Sequence, residues 1–312
     1  KQARARSLAG LRFRRHCAQR DARTMSVVLA LSLLSLAGAP WIFDGTCRTH
    51  SKRANEAFEN YACAARHWRE HREHAVWNSG YASASGVGSV AIHAAQFARF
   101  LEGWLAEKSD EVGSLVEASS GHWPTGWQTS VHWPAIDYIG VDLLEDIVAD
   151  NVQLMQELGP EAFGFRSMVF LNGDMLQAPL PSADLLLVRS TLIHWPNWAV
   201  KRLLSLSVLS CPPRFKYVMF VENYGPKCVL PGCRHNADGL FGRFRFVDLA
   251  ASPFNLSVEN VFEWHYDGLH VDRGDLLRQP DTPESENWWM RNAEEYKRVQ
   301  LLKLGHTAPH CR

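Results

Sequence analysis

From Gly113 onward, short apolar runs alternate with helix-like segments, and this rhythm limits the possible folds more than any other feature. Gly113-Ser-Leu-Val-Glu117, Tyr138-Ile-Gly-Val-Asp142, Met168-Val-Phe-Leu171, Asp184-Leu-Leu-Leu-Val-Arg189 and Lys216-Tyr-Val-Met-Phe-Val-Glu222 read as five strands. Leu144 to about Leu158 and Trp198 to Leu209 read as helices between them. Strands that are apolar throughout and separated by helices belong to a parallel sheet covered on both faces. Phe244-Arg-Phe-Val-Asp248 and Val261-Phe-Glu-Trp-His265 would add a closing hairpin, giving seven strands. The expectation is therefore an α/β fold with a mostly parallel seven-stranded sheet and helices on both faces.

Helical segments flank this core. Residues 51–76 are rich in Ala, Arg, Glu and His, with Phe58, Tyr61, Ala65 and Trp68 at helical intervals. A second helix is expected from about Val90 to Lys108, with Ile92, Phe97, Phe100, Leu101 and Trp104 as its apolar stripe. The tail from Pro283 to about Gly305 reads as an amphipathic helix. The implied organisation is a basic leader with an apolar targeting segment over 1–39, a helical cap over 40–110, the α/β core over 111–275, and a helical tail over 276–312.

The formal net charge is zero, but the charge is unevenly spread. Residues 1–24 hold eight Lys or Arg against the single acid Asp21, so the remainder carries 25 basic and 32 acidic residues. An acidic body without a basic stripe argues against nucleic acid as a partner. The Arg-rich start is followed by Met25 and an apolar run, Ser26 to Ala39, too short for a comfortable bilayer span. It suits the h-region of a signal for the secretory pathway or an organelle, with no stable span in the mature chain; otherwise the chain would be cytoplasmic. A short buried helix is the plainer reading. Cys228, Cys233 and His235 are too few and too poorly spaced for a zinc site, so no metal is expected. In an oxidising compartment the two cysteines would suit a loop disulfide.

The chemistry-bearing residues sit where strands end. Nucleoside cofactors on such sheets bind at the carboxyl ends of the strands, near the point where strand order reverses. The first strand runs into Glu117-Ala-Ser-Ser-Gly-His-Trp123, a small-residue turn that lets backbone amides and a helix N-terminus approach a ligand. Asp142 ends the second strand, 21 residues beyond Gly121, the spacing of an acid that takes ribose hydroxyls. Asp174 follows the third strand, within reach of an adenine amino group. Each has a plainer alternative: Asp142 as a helix cap and Asp174 as a turn residue. His194, after the fourth strand, is a candidate general base or a satisfied loop residue. Trp123 and Trp127 could face a sulfonium or could simply pack.

Together these residues resemble the class I, Rossmann-like methyltransferases that use S-adenosylmethionine (SAM), over roughly Ser79 to His265. In that family the first strand ends in a Gly-rich turn, the second in an acid, and the fourth reads Asp-Leu-Ile-Leu-x-Arg-x-x-Leu-x-His. Here that stretch is Asp184-Leu-Leu-Leu-Val-Arg-Ser-Thr-Leu-Ile-His194. Ser85-Gly-Val-Gly-Ser89 is similar to an element of an uncharacterised subset, in which it would help hold the methionine end of the cofactor. The resemblance implies a SAM site from Glu117, Ser119, Ser120, Gly121 and Trp123, from Asp142 with Leu143, from Asp174 with Met175, and from Arg189. Ser85, Gly86 and Gly88 would complete it, with His194 catalytic. It implies methyl transfer to a small-molecule or protein acceptor that the sequence does not identify. Only Gly121 remains of the usual glycines in the first turn, and Ser119 and Ser120 lack glycine's freedom at positive φ. Two alternatives remain: a non-catalytic relative that has lost the cofactor, and a nicotinamide oxidoreductase. The latter lacks its Gly-x-Gly-x-x-Gly after the first strand.

Overall fold

The computed structural model describes residues 89, 91–225, 234–239, 241, 245–265 and 296–304. Their elements run α1 (Ala91–Glu107), β1 (Ser114–Ala118), β2 (Asp137–Asp142), α2 (Glu145–Leu158), β3 (Ser167–Asn172), β4 (Leu185–Arg189), α3 (Asn197–Leu203), β5 (Tyr217–Tyr224), β6 (Glu259–His265) and β7 (Tyr296–Lys303). A π-helical turn, Leu204–Val208, extends α3. The seven strands form one sheet in the order β3-β2-β1-β4-β5-β7-β6. The first five are parallel, and β7 enters antiparallel between β5 and β6. This is the expected Rossmann-like α/β architecture.

Alternation along the central strands assigns each face its helix. Leu186 and Val188 pack with Ala199, Val200 and Leu203 of α3, while Leu185 and Leu187 pack with Phe97 and Leu101 of α1. Every residue of β4 is buried, which is why that strand reads as continuously apolar. In α1 the expected stripe holds at Phe97, Leu101 and Trp104, and Phe100 stacks on Phe262 with ring centroids 4.7 Å apart. Ile92 does not join it and is 75% exposed.

Three expectations change. The tail helix is replaced over Tyr296–Lys303 by β7, which pairs with β5 on one side and β6 on the other. A short apolar run does not separate helix from strand by periodicity alone, and pairing with β5 along one edge and β6 along the other gives this segment's backbone its hydrogen-bond partners. The closing hairpin is therefore β6 with β7, while residues 245–248 form no strand. Finally, no α-helix follows β1; two 3-10 turns, Trp123–Thr125 and Trp127–Ser130, occupy the space before β2. Pro124 fits the first turn of such a segment but could not sit inside a helix.

Cys211 is disulfide-bonded, to a partner outside the described residues. Ser85, Gly86, Gly88, Cys228 and Cys233, the helix over residues 51–76 and the leader also lie outside them. Among the described residues no helix is long and apolar enough to cross a membrane, and no group of His, Cys, Asp or Glu has metal-holding geometry.

Candidate functional site

Strand order reverses between β1 and β4, so their carboxyl ends border the crevice where this fold accepts ligands. The β1 turn is built around Asp142. Its Oδ2 accepts the Gly121 amide at 2.9 Å and its Oδ1 accepts the Leu144 amide at 3.1 Å. The capping alternative thus describes one oxygen, and the second ties the β1 turn to the end of β2. Burial raises the Asp142 carboxyl above its ordinary range, while the Leu144, Gly121 and Leu143 amides pull it down. Asn151 of α2 completes the turn: its amide donates to Gly121 O at 2.8 Å, and its Oδ1 accepts the Trp123 amide at 2.8 Å.

The turn needs positive φ at two positions. Gly121 supplies one at 64°, but Ser119 adopts 55° despite its Cβ. A non-glycine residue there stores roughly 1 kcal/mol or more. The serine sequence therefore keeps the glycine-type backbone, held by the Ser120 amide on Val141 O at 3.0 Å and by the bonds to Asp142. Gly140 of β2 makes room beneath it: a Cβ there would lie 2.6 Å from the Phe170 ring and 3.1 Å from Ser120 Cβ.

Glu117 is 2% exposed and lies behind the turn. It accepts the Tyr138 hydroxyl at 2.6 Å and the Gln128 amide at 3.0 Å. Burial pushes its carboxyl up to about 7, opposed by those two donors and by the Arg189 charge. Arg189, at the end of β4, lies 5.0 Å from the Trp127 ring and 5.7 Å from that of Phe97. Ser120 Oγ and Gln128 Oε1, both at this turn, are buried without a hydrogen-bond partner. Such atoms call for an explanation, and a bound polar group is one.

Trp123 is fully buried among Trp133, Tyr138, Phe165 and Phe170, the arrangement of its packing alternative. Trp127 is also buried, against Phe97, with Arg189 over its ring. Asp174 accepts the Leu176 amide at 2.9 Å and the Gln177 side chain, as a turn residue does. Met175 is buried in the core, whereas Leu143 is half-buried beside Asp142. His194 closes a 3-10 turn after β4.

The other half of the crevice rests on residues that motif reading did not find. Glu222 of β5 accepts three successive amides, from Thr191, Leu192 and Ile193, at 3.2, 3.1 and 3.3 Å. Burial pushes its carboxyl up to about 7, against those amides and the Lys297 charge. Lys297 of β7 is 2% exposed and donates to Ser190 Oγ at 2.6 Å and Asn223 Oδ1 at 2.8 Å. Arg245 braces the same turn through Leu192 O and Asn197. The available signal was a charged residue at each end of an otherwise apolar strand; which partners they would meet was not readable.

No family model matches the chain, and no curated protein does either. Many solved structures align with it at low identity. The YcgJ protein of Bacillus subtilis is 17% identical, covering 66% of this chain and 98% of its own, with a TM-score of 0.41. The magnesium protoporphyrin IX methyltransferase of Synechocystis PCC 6803, with bound SAM, is 13% identical over 67% of this chain and 80% of its own, with a TM-score of 0.40. An O-methyltransferase from a polyketide multienzyme of Brevibacillus brevis, in complex with S-adenosyl-L-homocysteine, is 12% identical over 69% and 75%, with a TM-score of 0.43. The fold assignment rests on this chain's own strand order and register.

Proposed function

We propose that this chain binds SAM at the carboxyl ends of β1 and β2 and transfers its methyl group to an acceptor held over β4 and β5. The observation that carries this reading is Asp142, fastened to the Gly121 turn beside the strand-order reversal. Asp142 Oδ2 takes the Gly121 amide and Oδ1 the Leu144 amide. Because a carboxylate has about four acceptor positions, one is left for a donor such as a ribose hydroxyl beside the three backbone amides it meets. Ser120 and Gln128 offer their orphaned oxygens to the polar end of the cofactor, and Asp174 with Met175 would border its adenine. Bound SAM supplies an electrophilic methyl on a cationic sulfur. The chain's own residues align the acceptor and exclude water, and His194 is our candidate for removing the acceptor's proton.

The sheet itself disfavours a nicotinamide enzyme. The dinucleotide order is 3-2-1-4-5-6, whereas here an antiparallel β7 lies between β5 and β6. A non-catalytic relative is favoured by different features: both Asp142 oxygens are already engaged, and among the described residues 3-10 turns rather than an α-helix follow β1 directly. Calorimetric titration of the full chain with S-adenosylhomocysteine separates the two. Binding, lost in Asp142→Ala, supports the transferase; no binding by folded protein supports the degenerate relative.

We also propose that the basic and apolar leader directs the chain to the secretory pathway or an organelle, a reading supported by its Arg-rich start and short apolar run.

A further inference from the structure

We infer that Ser190 and Lys297 form the recognition point for an oxyanion, so that the acceptor presents a carboxylate or an ionisable hydroxyl rather than an amine. This rests on the methyltransferase reading, and it follows from how one serine is held. Ser190 lies directly beyond β4, the strand next to the order reversal, and is half-buried at the carboxyl edge. Its φ is 51°, and its amide bonds Val221 O at 2.9 Å, so the backbone turns sharply at this residue. Its Oγ accepts the Lys297 ammonium at 2.6 Å.

A hydroxyl has one proton and two acceptor positions. With the ammonium on an acceptor position, the Ser190 proton is left to donate, and the adjacent positive charge strengthens that donation. Lys297 is set for this task from two directions: β7 pairs it with Asn223 in register, and Asn223 Oδ1 holds its ammonium at 2.8 Å. The neighbouring turn amides of Thr191, Leu192 and Ile193 are all taken by Glu222. Those amides are therefore committed to fixing the turn, which leaves the proton of the half-buried Ser190 hydroxyl as the donor for a ligand. On the α1 side of the sheet, Arg189 precedes Ser190 and adds a second cation at the same strand end. Glu222 beside Lys297 and Glu117 beside Arg189 offset part of this positive charge, but burial holds both acids towards their neutral forms. The ammonium-backed Ser190 donor therefore favours a ligand oxygen that carries negative charge, in the bound state or in the transition state. A cationic amine would meet like charge instead.

The test uses the full chain saturated with S-adenosylhomocysteine and two probes of similar shape, benzoate and benzylamine, in calorimetric or NMR titrations. The expectation is that benzoate binds and benzylamine does not. Lys297→Met should weaken benzoate at least tenfold while changing the S-adenosylhomocysteine Kd less than threefold, and Lys297→Arg should recover part of the loss. Ser190→Ala, a smaller change that keeps the ammonium, should weaken benzoate three- to tenfold and guards against a Lys297 variant that fails to fold. Absence of benzoate binding, preference for benzylamine, or equal benzoate affinity in Ser190→Ala and the parent would overturn the inference. Failure of the parent to bind S-adenosylhomocysteine would instead overturn the methyltransferase reading, so the two failures are distinguishable.

Discussion

The two halves of the crevice are held by different means. At β1 and β2 a single carboxylate, Asp142, binds a backbone amide of the β1 turn and one just beyond β2, and the spacing involved is 21 residues or fewer. At β4, β5 and β7 the turn is held by side chains from distant strands, with Lys297 and Ser190 separated by 107 residues. The first half is a backbone cradle, which any side chain compatible with the turn can furnish. The second is an assembled charge network, in which each member depends on the others. A nucleoside needs a preformed cradle of fixed shape, whereas an acceptor site must match one chemical group. The contrast is the one expected if cofactor and acceptor occupy the two halves.

The sharpest way to break the comparison is to remove Asp142. Asp142→Ala leaves the Gly121 and Leu144 amides without their acceptor, so the β1 turn should lose its shape. S-adenosylhomocysteine affinity should fall at least ~100-fold, near 3 kcal/mol, by the tenfold per 1.4 kcal/mol rule. Calorimetry on the folded variant measures it. A loss below about fivefold would mean that the cofactor does not sit in this half.

Proton linkage sharpens the contrast next. Glu117 and Glu222 are both pushed up to about 7 in the folded chain by burial. An acid whose folded pKa lies above its unfolded value binds more protons when folded. Stability is then greatest at low pH and falls as pH rises from about 4.5 to about 7. Each group contributes at most about 3 kcal/mol to that decline. Urea titrations at pH 5 and pH 7.5 should show Glu117→Gln losing less stability across this interval than the parent. An equal decline would mean that Glu117 titrates elsewhere.

A smaller effect tests how tightly the cradle is packed. In Gly140→Ala the new methyl would have to displace the Phe170 ring and press on Ser120. Overpacking of this kind costs about 1–3 kcal/mol. The denaturation midpoint should drop with an unchanged m-value, and cofactor affinity should weaken because Ser120 belongs to the turn.

The same division explains what was legible in the sequence. The five parallel strands, α1, α2, Asp142 and the positive-φ turn are all written in local patterns: apolar runs, a glycine and an acid at fixed spacing. Ser119 shows the limit, because its backbone is that of a glycine and only the surrounding bonds make that affordable. Strand β7 was misread because its identity as a strand comes from the slot between β5 and β6, not from its own periodicity. Glu222 and Lys297 were missed for a related reason. A charged residue at a strand end looks like a solvated terminus until the fold buries it beside partners tens of residues away.

The smallest predicted effect asks whether the second half is a network at all. If Lys297 acts through Ser190, the two substitutions should not add. A double-mutant cycle on Ser190→Ala and Lys297→Met, read by urea denaturation, should give a coupling energy of about 1–2 kcal/mol, as for a charge-assisted hydrogen bond between partly buried groups. The same cycle on Ser190→Ala and Asp142→Ala, which share no hydrogen bond in the structure, should give a coupling within about 0.5 kcal/mol of zero. Coupling of similar size in both cycles would mean that the two halves move as one unit, and the division between cradle and network would fail. Coupling confined to the Lys297 pair would show that the β4 turn can be retuned without disturbing the β1 turn. That independence is what would let a single cofactor cradle serve acceptors of different chemistry.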